Sequence, residues 1–232
     1  MSKITTYLSP SAIIGQLSRI WKIVFWGIIV SLGGAGFTVL VSQITDTPMG
    51  VLANDPAEVE HYSPYVGMLS NWGVILWVAA GVICLFSAVI LRHRKSFGPQ
   101  FRFLVVSGAF SLLLGVDDLY MFHDRVLPRV FHLPEVFFYL LYLLAFVLYL
   151  GYFVPRILKY DYLLFTAAFI FFVISRGFYR LIPYFGHFYT TGDMLKYFGI
   201  VFWLAFFYRT ALHEVNELLR TEKPTEINPL DI

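Results

Sequence analysis

The chain has 232 residues, of which 58% are hydrophobic and 14% are charged, and its formal net charge is only +2. Soluble domains carry about 25% charged residues, so this composition excludes an ordinary water-soluble globule, and the small net charge argues against a nucleic-acid partner. The single cysteine, Cys84, excludes both an intrachain disulfide and a cysteine-based metal site.

Six apolar segments follow one another along the chain, each close to the length that a membrane helix needs, about 20 residues. They cover residues 20–44, 68–91, 101–124, 134–154, 162–182 and 193–213. An acidic segment, 45–67, separates the first two, and a short polar tail occupies 220–232. We therefore predict an all-α bundle of about six transmembrane helices that forms one domain over residues 1–219 and has the lipid bilayer as its first partner.

The distribution of lysine and arginine predicts the orientation of these helices. Basic residues lie before the first span, between the second and third, between the fourth and fifth, and after the sixth. The segment 45–67 has no lysine or arginine and carries four acids, Asp46, Asp55, Glu58 and Glu60. Because loops rich in lysine and arginine stay in the cytoplasm, we predict cytoplasmic N- and C-termini, an outer position for this segment, and a location in the plasma (inner) membrane.

Small residues recur every four positions in the first span, at Gly27, Ser31 and Ala35. This spacing lets a second helix approach closely. Two interpretations stay open: packing within the chain, or contact with a second copy of the chain or with a membrane helix of a partner protein.

The third span contains Asp117 and Asp118, and Asp124 follows near its end. At a rise of about 1.5 Å per residue, the first two lie roughly 24 Å along a helix that starts near Phe101, still within a hydrocarbon layer about 30 Å thick. The spacing of seven predicts that Asp117 and Asp124 share a helical face, whereas His123 points about 100° away from Asp124. Charges facing lipid are costly, so these carboxylates should turn toward one another or toward water.

Ionisable residues of two further spans are expected at the same depth. Arg176 lies at a similar level in the fifth span, with Arg180 one turn later. Asp193 and Lys196 open the sixth span with the i,i+3 spacing of an ion pair, and Asn71 adds a neutral hydrogen-bonding group to the second span. The predicted ligand- or ion-binding site consists of Asp117, Asp118, Asp124, Arg176, Arg180, Asp193, Lys196 and Asn71.

Three interpretations of this charged cluster remain open. The preferred one is a cavity near the outer face that binds an ion, a proton or a small ligand, in a transport, channel or sensing protein. The first alternative is a membrane hydrolase dependent on zinc or another divalent metal, with ligands from His123, Asp124, His132 and Glu135.

The second alternative is a non-catalytic membrane subunit in which the cluster is a structural salt-bridge network. The balance of five acids against five bases favours ion pairing over a metal site. The acids are Asp117, Asp118, Asp124, Glu135 and Asp193, and the bases are Arg125, Arg129, Arg176, Arg180 and Lys196. No catalytic residue is assigned.

Overall fold

The computed structural model describes residues 10–53, 56–63, 65–95, 98–181 and 189–221. All regular secondary structure in these residues is helical, which confirms the predicted all-α fold. The α-helices are α1 (Pro10–Thr45), α2 (Met49–Ala53), α3 (Pro56–Val59), α4 (Met68–Lys95), α5 (Pro99–Tyr120), α6 (Leu127–Phe131), α7 (Glu135–Ile157), α8 (Tyr162–Leu181) and α9 (Tyr189–Thr221). A π-helical turn, Phe122–Val126, connects α5 to α6.

Within the described residues, five helices are long and apolar enough to cross a membrane. Their apolar segments are Val24–Thr45, Met68–Arg92, Pro99–Tyr120, Glu135–Ile157 and Thr191–Arg220. The predicted membrane protein is therefore confirmed, with five candidate spans where the sequence predicted about six. The difference lies in α8, whose described apolar part, Tyr162–Gly177, is shorter than the others. The cytoplasmic position of the termini and the type of membrane stay predictions.

The chain forms two compact units, Met1–Val66 and Gly67–Ile232, and each is described by itself. In the first unit, the apolar stretch of α1 contributes no buried residue among those described. The stripe of Gly27, Ser31 and Ala35 lies in this helix, and its role as a contact for another helix stays a prediction. A single domain over residues 1–219 likewise stays a prediction.

The second unit is a bundle in which α4 packs against α5 and α9, and α9 also packs against α8. Aromatic side chains fill its centre. Phe103, Phe206 and Phe207 have no exposed surface, and Trp203 is almost fully buried among them. Because large rings bury much apolar area each, these aromatic side chains contribute much of the buried surface of the core.

Helices α4 and α5 approach each other closely at two glycines. A methyl group added to Gly108 would lie 2.9 Å from the carbonyl oxygen of Gly81 and 2.8 Å from Leu85 Cγ. A methyl group added to Gly81 would lie 3.0 Å from the carbonyl oxygen of Gly108. The backbones of the two helices therefore lie too close together at this point for a side chain to fit between them. Small residues allow such close packing in membrane bundles.

Buried hydroxyl groups of α5 are hydrogen-bonded to its neighbours. The Trp203 indole of α9 donates to Ser111 at 2.9 Å, and Ser111 donates to the carbonyl oxygen of Ser107 at 2.8 Å. The hydroxyls of Ser107 and Tyr149 of α7 are 2.7 Å apart. Since buried polar atoms are costly unless they are paired, these bonds fix the order of α7, α5 and α9 in the bundle.

At the end of the bundle where α7 is followed by α8, Tyr160 connects the α7–α8 junction to α9. Its hydroxyl donates to the Glu214 carboxylate at 2.6 Å, and Glu214 is only 8% exposed. Burial, and then the Glu214 carboxylate, raise the pKa of Tyr160. The phenol therefore remains a donor in the folded protein at pH values where an exposed tyrosine begins to ionise, above about pH 10.

Tyr160→Phe is expected to lower the free energy of unfolding by about 1–3 kcal/mol, because the buried Glu214 carboxylate loses its donor. The measurement is reversible unfolding by denaturant in mixed micelles. Tyr162→Phe, at the exposed start of α8, is the matched control and should change stability by less than about 0.5 kcal/mol. Because the pKa is raised on folding, the stability that Tyr160 provides is present below about pH 10 and is lost as the pH rises further. Equal losses in the two variants would contradict the role of this hydrogen bond.

Candidate functional site

The site begins where α5 ends. Met121 adopts a left-handed conformation with φ of 51° and ψ of 44°, and its N–H bonds to the carbonyl oxygen of Asp117. The chain then folds back through the π-turn, so that the backbone N–H of His123 donates to Asp117 Oδ1 at 3.0 Å. A helix continuing to residue 124 was predicted, and the expected common face of Asp117 and Asp124 is wrong, because the left-handed residue at 121 ends the helix.

His123 lies between the two aspartates that it was expected to point away from. Its Nδ1 bonds to the Asp117 carboxylate, and its Nε2 is 3.0 Å from Asp124 Oδ1. Tyr142 donates to Asp117 at 2.9 Å, and Tyr139 donates to Asp124.

These five side chains form a continuous chain of contacts: hydrogen bonds join Tyr142, Asp117 and His123, another joins Tyr139 and Asp124, and a 3.0 Å ion-pair contact of His123 Nε2 with Asp124 connects the two sets. The carboxylate at its inner end, Asp117, has a side chain only 6% exposed, whereas the side chain of Asp124 at its outer end is 40% exposed. The chain thus connects a buried carboxylate to an accessible one.

An ion pair between α9 and α5 lies beside this chain. Lys196 contacts the Asp118 carboxylate, whose side chain is 12% exposed. The i,i+3 spacing predicted Asp193 as the partner of Lys196, but the tertiary contact is made with Asp118. A poorly exposed carboxylate gains more from a cationic partner than an exposed one does, which explains why this pairing is favoured.

Arg176 projects from α8 on the same side. The hydroxyl of its neighbour Ser175 is buried and donates to the carbonyl oxygen of Gly192 at 2.7 Å, which fixes α8 against α9. The Arg176 guanidinium lies over the Tyr139 ring, with its central carbon 3.9 Å from the ring centroid, in a cation–π contact. Among the described residues, no carboxylate lies within 4 Å of this guanidinium.

A cavity of about 340 Å³ separates these groups from the aromatic core. Its polar end is formed by Asp117, His123, Tyr139, Tyr142, Arg176 and Lys196. The remaining wall is apolar, with rings from Trp77, Phe110, Phe146, Phe169, Phe172 and Trp203. Small-molecule sites commonly combine an apolar wall with a few converging polar groups in a space of this order.

The structure brings together some of the predicted site residues but not all of them. Asp117, Arg176 and Lys196 line the cavity. Asp118 bonds to Lys196, and Asp124 contacts His123 and Tyr139. Asn71 and Asp193 are exposed and do not line it. The Arg180 side chain lies outside the part of the chain that the structure describes.

Two tyrosines and the aromatic wall were not predicted as parts of the site. Tyr139 and Tyr142 are three residues apart, the spacing that places two side chains on one face of a helix, and this signal was present in α7. The rings of the wall come from α4, α5, α7, α8 and α9. No local pattern distinguishes them from ordinary core residues.

The described residues contain no group of three histidine, cysteine, aspartate or glutamate side chains placed to hold a metal ion. Of the predicted set, His132 and Glu135 are exposed on either side of the α6–α7 connection. The ring nitrogens of His123 both contact carboxylates, including that of Asp124. The geometry of these residues gives the zinc site no support.

A family model for a domain of unknown function, DUF8692, matches residues 23–210, which is most of the chain. The chain belongs to the DUF8692 family. The DUF8692 match includes every residue that lines the cavity. No curated protein and no solved structure matches the chain. The function of this DUF8692 protein therefore has to be argued from its site.

Proposed function

We propose that this protein binds a small ligand inside the membrane bundle, as the binding unit of a sensing or transport protein. The ligand has an apolar, preferably aromatic, body and a polar group rich in hydrogen-bond acceptors. The observation that carries the proposal is the cavity itself, which is aromatic on most of its wall and has spare donors concentrated at one end.

The hydrogen bonds of the polar end indicate which polar group it would accept. Asp117 Oδ1 accepts from the His123 backbone and from Tyr142, and Oδ2 contacts the His123 ring. Both carboxylate oxygens of Asp117 thus already have hydrogen-bond partners within the protein. Arg176, in contrast, has five N–H donors and no carboxylate among the described residues within 4 Å, and Lys196 uses one of its three donors on Asp118. A carboxylate, a phosphate or a carbonyl group complements such a surface.

Charge balance leads to the same ligand class. Asp118 compensates Lys196, and Asp117 is bonded to His123. Among the described residues of the cavity wall, Arg176 is then the cation that has no carboxylate within 4 Å. Because a guanidinium binds a carboxylate in a bidentate manner, an anionic group would be held at Arg176.

The apolar end favours a planar body. Trp77 and Phe172 stack with their centroids 5.8 Å apart, and Phe110 and Phe146 stack at 6.2 Å. Offset aromatic pairs prefer centroid separations of about 4.5–7 Å, so a further ring inserted into the cavity would find faces and edges in the arrangement that rings prefer.

Binding is tested with two probes, naphthalene-2-carboxylate and the neutral 2-naphthamide. The signal is the tryptophan fluorescence of purified protein, to which Trp77 and Trp203 in the cavity wall contribute. We expect the carboxylate to bind saturably and at least tenfold more tightly than the amide. Arg176→Gln should weaken carboxylate binding about 10–100-fold, since a hydrogen-bonded charge contact contributes about 1.5–3 kcal/mol, and should change amide binding little.

Arg129→Gln is the matched control, because Arg129 is an exposed arginine in α6 that does not line the cavity. It should bind both probes as the wild type does. Equal affinities of the carboxylate and the amide, or equal effects of the two arginine substitutions, would overturn the anionic ligand class. Non-saturable quenching in every variant would overturn the cavity as a binding site.

Proton transfer is a second candidate, favoured by the position of His123, which is hydrogen-bonded to Asp117 and has its Nε2 3.0 Å from Asp124 Oδ1. An imidazole between two carboxylates can accept a proton on one nitrogen and release it from the other. In liposomes with an internal pH-sensitive dye, proton flux that Asp117→Asn abolishes would favour this function. Flux equal to that of protein-free liposomes would exclude it.

A further inference from the structure

A second apolar cavity lies between α5 and α7, toward the other end of α5 from Asp117. It is a groove of about 490 Å³ whose lining includes Phe101, Val105, Val106, Ala145, Leu148 and Phe153. Leu148 is 65% exposed and Val106 is 43% exposed. Since α5 and α7 both contain candidate membrane spans, the groove opens toward the hydrocarbon layer of the bilayer.

The groove ends at a pair of arginines. A smaller space of about 180 Å³ is lined by Arg102 and Arg156, and it shares Arg102, Tyr152 and Phe153 with the groove. Among the described residues, no carboxylate lies within 4 Å of either guanidinium. Two cations thus converge, without an acidic partner, where the apolar groove meets the end of the helices.

The start of α5 adds to this positive end. The residue before the helix, Gly98, provides no side-chain cap, and Pro99, the first residue of α5, lines the same small space as the arginines. The N-terminus of a helix carries a partial positive charge and attracts anions such as phosphate. In this protein the helix end and the two arginines point to the same class of ligand.

We propose that the groove and its basic end form a binding site for an anionic phospholipid. One acyl chain occupies the groove, and Arg102 and Arg156 hold the phosphate. From Arg102 to Phe110 the groove follows about 12 Å of helix at a rise of about 1.5 Å per residue, which is enough for the upper part of an acyl chain. A lipid has both parts that the site requires, an apolar chain already within the bilayer and an anionic head at its edge.

The proposed topology also favours this occupant. Arg102, in the first turn of α5, and Arg156, in the last turn of α7, lie at the helix ends that the positive-inside rule places at the cytoplasmic face. Anionic lipids are concentrated in the cytoplasmic leaflet, and basic pockets between helices on that side bind their headgroups. The lipid site does not depend on ligand binding at Arg176, because the two cavities share only Phe110 among the residues that line them.

The experiment measures the thermal unfolding midpoint of the full chain in detergent with increasing dioleoyl-phosphatidylglycerol. We expect a saturable rise of roughly 5 °C or more, as for any ligand that binds the folded state alone. Dioleoyl-phosphatidylcholine should give less than a third of this rise. Soluble glycerol 3-phosphate, which carries the phosphate without acyl chains, should give none.

Two variants locate the effect. The double substitution Arg102→Gln with Arg156→Gln should remove at least two thirds of the shift, whereas the matched pair Arg125→Gln with Arg129→Gln should keep it. Ala145→Phe fills the groove from an exposed position without changing the charge, and should also remove most of the shift. It provides the test if the double arginine variant does not fold.

Three results would overturn the proposal. Equal shifts with the two phospholipids would show that the effect is not specific for the anionic head. A full shift with glycerol 3-phosphate would show an anion site without a lipid chain. An equal loss of the shift in the control arginine pair, or a full shift in Ala145→Phe, would place the effect outside this groove.

Discussion

His123→Leu is expected to lower the free energy of unfolding by about 1.5–3 kcal/mol, the contribution of a hydrogen bond to a charged group. The substitution introduces an apolar side chain of similar size and leaves the Asp117 carboxylate, whose side chain is only 6% exposed, without the bond to the His123 ring. Tyr142 and the backbone N–H of residue 123 remain as donors to Asp117. The measurement is reversible denaturation in mixed micelles, followed by tryptophan fluorescence.

A double-mutant cycle assigns this loss to the pair. Asp117→Asn in the His123→Leu background should recover part of the stability, because the uncompensated charge is then absent, and the coupling energy should exceed about 1 kcal/mol. Asp124→Asn changes the other carboxylate on the same imidazole, which is 40% exposed, and should cost less than about 1 kcal/mol. Additive effects of Asp117→Asn and His123→Leu would contradict a direct pair.

Gly108→Leu is expected to destabilise the bundle by about 3 kcal/mol or more, at the upper end of the range for overpacked cores. Its first side-chain carbon would meet the backbone of α4 at Gly81, 2.9 Å away. A rotamer change cannot relieve this clash, because the opposing atom is a carbonyl oxygen of the main chain. The helices would have to separate, and the Trp77 and Phe110 walls of the cavity, on α4 and α5, would separate with them.

Gly151→Leu is the matched control for this prediction. It makes the same substitution in the interior of α7, where a methyl group would meet no atom within 4 Å. Leucine has a higher helix propensity than glycine by roughly 0.5–1 kcal/mol, so this variant should be as stable as the wild type or slightly more stable. The measurement is the denaturant midpoint of both variants in the same detergent. Equal midpoints would show that the approach at Gly81 does not limit the packing.

The helical membrane fold could be predicted because its signal is local. Long apolar segments identify helices in lipid without information on their neighbours. The cost of charge in lipid also predicted that Asp117 and Asp118 turn inward. The position of His123 could not be predicted in this way, because it depends on the left-handed backbone at Met121. Positive φ is uncommon in residues other than glycine, and a methionine gives no sequence signal for it.

The pairing of charges could be predicted only in part for a related reason. The spacing of Asp193 and Lys196 identifies neighbours on one helix, whereas the contact of Lys196 with Asp118 depends on how α9 packs against the rest of the bundle. The same limit applies to Arg176, whose partner is the Tyr139 ring of α7 and not an aspartate. The packing of helices along their whole length decides which of them come into contact. The spacing of residues within one segment carries no information on that packing.

The left-handed conformation of Met121 gives the candidate site two kinds of contact: those within a single segment of the chain and those between helices. Asp117 and His123 are six residues apart in one short segment, and their contacts do not require any other helix. Tyr142 reaches the same pair from α7, and Arg176 reaches the neighbouring Tyr139 from α8. A small tilt of α7 would therefore change the tyrosine contacts first and leave the aspartate–histidine pair in place.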